Sequence, residues 1–261
     1  MTEASIYSNK DGEIAEIILN RPAKRNALNR EIWEAIPKLV HELEQDETVK
    51  VIILRGTEPK AFAAGADIAE FSTVHANPES AAAYDETINQ AYDAVANASR
   101  PTIAMIQGVC FGVGCALALC CDLRYCDMTA RFSIPPARLG LAYTLAETKR
   151  LVDVVGPSIA KEMLMGARVL DANEARAVGL VTRTFEPGDL VDEVYGFARE
   201  MCALSQYSIR AVKTVVEQIL EGEVVDNAVT TNLALGAYQQ DDYREGRDAF
   251  LEKRTAKFTY R

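Results

Sequence analysis

Two glycine-bearing segments hold the residues best suited to chemistry, and both would act through backbone rather than side chains. The first is FAAGADIAEF, Phe62 to Phe71. Gly65 allows a tight turn and a close backbone approach, and the small Ala64 and Ala66 leave their N–H groups uncovered. The second runs from Ile106 to Cys115, with Gly108, Gly112 and Gly114 between a strand-like and a helix-like run. A helix N-terminus presents free N–H donors and the positive end of a dipole, a setting that suits a developing oxyanion. A dinucleotide fingerprint would need G-x-G-x-x-G, but Leu117 stands at the third glycine position. Each segment alone also reads as ordinary packing, a Gly/Ala loop before a helix in one case and a close helix contact in the other. Functional side chains follow in Arg138, Tyr143 and Glu147, of which Tyr143 and Glu147 could exchange a proton. Tyr143 also reads as a buried aromatic with a satisfied hydroxyl, and Glu147 as a solvated first-turn helix residue.

The elements that must position these groups follow from periodicity and punctuation. Apolar runs at 14–20 and 49–54 read as strands. Asn29 can cap a helix over 30–45, in which Pro37 should cause a bend or a split. An Ala-rich helix is expected over 79–98, then a buried strand at 102–107, a turn at 108–112 and a core helix at 113–121. Short strands are expected at 123–125, 131–134 and 180–184, with helices near 144–155, 158–165 and 171–177. From 188 onward the pattern is helical, at about 188–204, 207–221, 225–239 and 241–253. Strands with interposed helices followed by helices alone give an α/β core, residues 1–187, and a helical C-terminal region, 188–261.

Composition excludes several classes. Acidic residues outnumber basic ones by 38 to 28, a formal charge of −10, which argues against a nucleic-acid partner. Five of the six cysteines crowd into the seventeen positions 110–126. They form no C-x-x-C pair, and just two histidines, His41 and His75, are available. Reduced core thiols fit this pattern better than a disulfide framework or a zinc site, so no metal and a cytosolic compartment are expected. Residues 1–10 are polar and show no secretory signal. The apolar run Ile103 to Cys121 imitates a membrane span, but Pro101 and the glycines break it into strand, turn and helix.

Taken together, the motifs resemble the enoyl-CoA hydratase/isomerase (crotonase) superfamily along nearly the whole chain. The likeness rests on LNRPAKRNALN at 19–29, AFAAGADIAEF at 61–71, IQGVCFGVGCALALCCDL at 106–123 and LGL at 139–141. It continues through RLVDVVGPSIAKEMLMGARVLDANEARAVGLV at 150–181 and FLEKRTAKF at 250–258. The resemblance implies an α/β spiral of ββα repeats with a helical trimerisation region, assembled as a homotrimer or a dimer of trimers. It implies an acyl-CoA substrate, no prosthetic group, and an oxyanion hole made by the N–H groups of Ala66 and Val113. It also implies that backbone around Arg25, Ala27 and Leu28, with Ala64 and Ile68, holds the adenine end of CoA. Lys24 or Arg25 would meet its phosphates, and Phe258 would cover the cofactor of a neighbouring subunit.

The departures are as informative as the likeness. Hydratases of the family carry two glutamates where this chain has Ala116 and Pro136, and Ala and Pro can neither orient water nor protonate Cα. The LGLAYTL stretch around Tyr143 is similar to LGxPYxL of methylmalonyl-CoA decarboxylases, which usually have His at the position of Ala66. Enolate chemistry without paired glutamates is therefore expected, as in decarboxylation or thioester hydrolysis. A hydratase using other acid/base groups and a non-catalytic acyl-CoA binder remain alternatives.

Overall fold

A computed structural model describes residues 4–260. An antiparallel pair opens the chain, β1 (Ile6–Asp11) and β2 (Ile14–Leu19). Each following turn of the chain lays one strand in a six-stranded sheet, one in a four-stranded sheet, and then helix. After α1 (Arg30–Gln45), the first such turn is β3 (Val51–Gly56), β4 (Ala61–Ala63), the short α2 (Phe71–Val74) and α3 (Pro78–Ala96). The second is β5 (Thr102–Ile106), β6 (Val109–Phe111) and α4 (Val113–Leu119). The third is β7 (Leu123–Asp127), β8 (Arg131–Ser133), α5 (Pro136–Leu139) and α6 (Leu145–Gly166). Then come β9 (Leu170–Asp171), α7 (Ala172–Ala177) and β10 (Arg183–Phe185). The sheet orders are β1-β2-β3-β5-β7-β10 and β4-β6-β8-β9. This stacking of ββα turns is the spiral that the sequence implied.

The central strands are buried on both faces, as parallel strands covered by helices must be. Ile52, Leu54, Ala104 and Ile106 point into a large core shared with α1, α3, α4 and α6. Their alternate neighbours Val51, Ile53, Ile103 and Met105 meet Leu190, Val194 and Ala198 of α8 (Leu190–Cys202). Helix α8 thus belongs to the core layers, although it lies in the stretch 188–261 expected to serve assembly. The remaining helices are α9 (Gln206–Leu220), α10 (Ala228–Ala237) and α11 (Asp241–Glu252). They leave large apolar side chains outward, among them Val212, Val216, Leu235 and Phe250. Among the described residues no helix is long and apolar enough to cross a membrane, and all six cysteines are buried free thiols.

Several boundaries differ from the sequence reading for identifiable reasons. The turn expected at 108–112 contains strand β6, whose three residues are too few to display a period. Strand β1 was not foreseen because one residue of its six faces the core. Pro37 does not split α1, which runs unbroken with Asn29 as its cap. By contrast, the two helices expected at 144–155 and 158–165 are present, as the two halves of α6 divided by a kink at Gly156, where φ is 74° and ψ 165°.

The spiral leaves almost no room where its turns touch. A Cβ placed on Gly114 would lie 2.6 Å from the Ala63 Cβ and 2.8 Å from the Ala63 carbonyl oxygen. Gly114→Ala is therefore expected to destabilise the fold by about 1–3 kcal/mol, as overpacked cores generally do. A denaturant midpoint equal to that of the parent protein would contradict this.

Candidate active site

The loop after β4 is built by backbone pairing with residues 25–28. Arg25 and Asn26 both sit in the left-handed region, with φ 50° and 55°, and Arg25 C=O accepts the Ala64 N–H at 3.0 Å. Leu28 N–H donates to Gly65 C=O at 2.8 Å, and Leu28 C=O accepts Asp67 N–H at 2.8 Å. This parallel bridge has Leu28 opposite Ala66. Groups of the bridged residue itself point to the other side in such a ladder, so the Ala66 N–H is turned away from Leu28. Buried Asn26 locks the hairpin-like entry, donating from Nδ2 to Ala61 C=O at 2.8 Å and accepting the Arg21 N–H at 2.8 Å.

The second loop ends at the start of α4. Gly112 has φ 54°, a region open to glycine. Its N–H donates to Ser133 C=O at 2.7 Å and its C=O accepts Ala116 N–H at 3.1 Å. Val113 is the first residue of α4, so its amide precedes the first intrahelical bond. Neither Ala66 N–H nor Val113 N–H donates to a protein acceptor among the described residues.

These segments meet. A Cβ on Gly112 would be 3.7 Å from the Gly65 Cα and 3.8 Å from the Tyr143 hydroxyl oxygen. Gly65, at φ 108°, would bring its own added Cβ 3.4 Å from the Phe111 carbonyl oxygen. The two free amides, each one residue beyond one of these facing glycines, and the Tyr143 hydroxyl thus border one space. Tyr143 is half-buried against the main core, and its hydroxyl makes no hydrogen bond among the described residues. Burial raises its pKa well above the usual tyrosine value, and the nearby Glu147 charge and Cys115 push it the same way. The phenol is consequently a proton donor, not a base, throughout the physiological range.

The other expected residues fall into distinct groups. Glu147 is a capping residue of α6: its Oε2 accepts the Thr144 N–H and hydroxyl at 3.0 Å each, and its own N–H donates back to the Thr144 hydroxyl at 3.2 Å. Arg138 is tied to Ala167 C=O at 3.1 Å. Ala27 and Leu28 lie on the segment that pairs with residues 64–67, and Ile68 is 63% exposed beside it. Lys24 is not a free cation, since its ammonium lies 2.9 Å from Asp67, a carboxylate that Arg21 also holds at 2.7 Å. The exposed Arg25 has no ion pair among the described residues, which makes it the better placed of the two for a phosphate. Phe258 packs over Gly246 of its own α11, on a tail held by Asp242 and Glu245 through the N–H groups of Lys257, Thr259 and Tyr260. Sequence reasoning missed Asp67, whose one signal was an acidic residue inside an otherwise small-residue loop.

The matching family model is described as Enoyl-CoA hydratase/isomerase and spans residues 9–261. A crotonyl-CoA hydratase of Syntrophomonas wolfei is 33% identical over 260 residues, covering 99% of each chain. A solved structure titled a putative enoyl-CoA hydratase/isomerase family protein, from Hyphomonas neptunium, superposes with TM-score 0.96 at 41% identity, covering 99% of this chain and 98% of that one. An enoyl-CoA hydratase/carnithine racemase from Magnetospirillum magneticum gives TM-score 0.95 at 35% identity, with coverage of 100% and 97%. The fold is therefore that of the crotonases. The chain belongs to the enoyl-CoA hydratase/isomerase family and is an acyl-CoA enzyme of that family, working on CoA thioesters without a prosthetic group.

Asp67 fastens the 21–28 segment to the loop of Ala66, and its two cations hold its pKa at about 2, below the ordinary 3.8. A depressed carboxylate stabilises the fold above its unfolded pKa and ceases to do so as pH falls through the folded value. Asp67→Asn is expected to cost about 1.5–3 kcal/mol at pH 7, the usual worth of hydrogen bonds to charged groups. The gap to the parent protein should close between pH 4 and pH 2. Unfolding curves at pH 7 and pH 3 check both statements.

Proposed function

We propose that the chain is a CoA-thioester lyase that removes a carboxylate from a malonyl-type thioester and holds the resulting enolate oxygen between the Ala66 and Val113 amides. The observation that carries this reading is the Tyr143 hydroxyl, unpartnered and placed at the same glycine pair as the two free amides. The positions at which the family resemblance would put hydratase glutamates hold Ala116, buried in α4, and Pro136, the first residue of α5. Neither can exchange a proton. Breaking the C–C bond releases CO2 and leaves its electron pair in the enolate, whose oxygen takes both N–H bonds. Cα then takes the Tyr143 proton, and water returns a proton to the phenolate. A phenol is protonated at neutral pH, so it can give a proton and is not available as a water-activating base, and burial keeps it in that form.

In the same reading, CoA lies along residues 24–28, Ala64 and Ile68, with Arg25 at a phosphate. Residues 1–187 carry the site, and the apolar faces of α9 to α11 build a homotrimer or a dimer of trimers in the cytoplasm, where Phe258 reaches a neighbour's ligand. A second reading, hydration of a short enoyl-CoA, is favoured by the names of the relatives, among them the crotonyl-CoA hydratase. Glu147 would be its acid/base group, but its carboxylate already caps α6.

The two readings separate on a panel of enoyl-, malonyl-, methylmalonyl- and β-ketoacyl-CoA substrates with products weighed by mass spectrometry. The expected result is CO2 loss from a malonyl-type thioester and crotonyl-CoA hydration slower than ~10 s⁻¹, the enzyme median. Tyr143→Phe should lower turnover by ~10²-fold, the low end for a general acid, and leave CoA affinity unchanged. Rapid hydration without decarboxylation, or parental turnover in Tyr143→Phe, would overturn the proposal.

A further inference from the structure

Tyr92 lies within α3 and is fully buried. Its hydroxyl donates to the Val113 carbonyl at 3.3 Å. Val113 is the residue whose amide forms half of the oxyanion hole in the function proposed above, and the present inference rests on that reading. The helix that Val113 opens is poorly secured by its own bonds. It is seven residues long, begins at Gly112 without a side-chain cap, and has Gly114 as its second residue. Glycine on both sides of Val113 gives the backbone freedom to rotate the amide, so an outside contact is needed to hold its direction. A carbonyl oxygen has two lone pairs, so Val113 C=O can accept from Tyr92 and still serve the helix.

Tyr92 is itself gripped from two sides. Trp33 of α1 meets its ring edge-on, with centroids 5.6 Å apart and planes at 82°. The Arg150 guanidinium of α6 lies 5.5 Å from the ring centroid. Arg150 is in turn bonded to Asp93, the next residue of α3, at 2.6 Å. The outer side of Arg150 faces a cleft of about 650 Å³ between α6 and α9. The ring is therefore clamped between two helices, and its hydroxyl is delivered to one carbonyl.

We propose that Tyr92 is a positioning residue for the reaction: its hydroxyl fixes the Val113 residue so that the amide stays aimed at the thioester oxygen. Tyr92 touches neither substrate nor reacting atoms. It acts through the backbone it holds. A buried tyrosine could merely be satisfying its own hydroxyl, and the experiment must tell these apart.

The probe is acetyl-CoA labelled with ¹³C at the thioester carbonyl, bound to the full-length protein and read by infrared difference spectroscopy. Two N–H bonds to the carbonyl oxygen lower its stretching frequency in the parent protein, and Val113→Pro, which deletes one donor at a position where proline suits a helix, should lose much of that shift. Tyr92→Phe keeps the ring and deletes the hydroxyl. It is expected to lose part of the shift and to lower kcat about five- to tenfold with KM unchanged, the scale of one ordinary hydrogen bond. Arg150→Gln, with the hydroxyl intact but the ring unclamped, should move both readouts in the same direction by less, and it decides the matter if Tyr92→Phe does not fold. Parental shift and kcat in a folded Tyr92→Phe protein would overturn the positioning role while leaving the oxyanion hole standing. A parent protein that shows no carbonyl shift would remove the oxyanion reading, and Tyr92's role with it.

Discussion

The constraint on which the rest of this structure depends is the absence of side chains where three segments touch. Gly65 and Gly112 face each other closely enough that a Cβ on one would be in van der Waals contact with the other. Gly114 rests on Ala63 with no space for a methyl group. These contacts bring the end of β4 against the start of α4, and so bring two amides from different turns of the spiral to one space. A methyl group at Gly114 would push the segments apart, whereas at Gly65 and Gly112 it is the positive φ that calls for glycine. The spiral itself is the means of meeting this constraint. Each turn repeats strand, strand and helix, so equivalent loops stack at one edge of the two sheets.

Much of this was legible in the sequence because glycine is informative where it is required. The segments FAAGAD and GVCFGVG marked both loops, and the near-continuous apolar runs of β3 and β5 marked strands buried on two faces. Asn29 and its helix were found where expected. What escaped had a common cause: it depended on pairing between residues far apart. Strand β6 exists because β4 and β8 flank it, and no local period betrays three residues. The engagement of Lys24 by Asp67 spans 43 positions, so a lysine that looked free for a phosphate was already taken. Tyr92 stood unmarked within an Ala-rich helix, and its bond to Val113 crosses 21 positions. Glu147 showed the opposite effect: the T-x-x-E spacing of Thr144 and Glu147 is a local capping signature, and it explains the residue without catalysis.

Electrostatics divides the labour between the protein as a whole and the site. The chain carries a net charge of −10, which would repel an anionic CoA at long range. Attraction must then be local. Of the cations on the 21–28 segment, Arg21 and Lys24 are spent on Asp67, holding the loop in shape. That leaves Arg25, which is exposed; on the proposed reading it would meet a phosphate without competing for Asp67.

On the function proposed above, an oxyanion hole made of the Ala66 and Val113 amides would separate stabilisation of the enolate from the choice of reaction. The reaction is then set by whichever group can exchange a proton with Cα or activate water. On that reading Ala116 and Pro136, at the positions the resemblance gives to the glutamates, do neither, and Tyr143 can give a proton. Hydration requires a base to activate water as well as an acid, whereas loss of CO2 generates its own carbanion and requires an acid alone. On the proposed reading, a protonated phenol beside the two amides is matched to the second demand, and the burial that packs Tyr143 against the core keeps that phenol protonated.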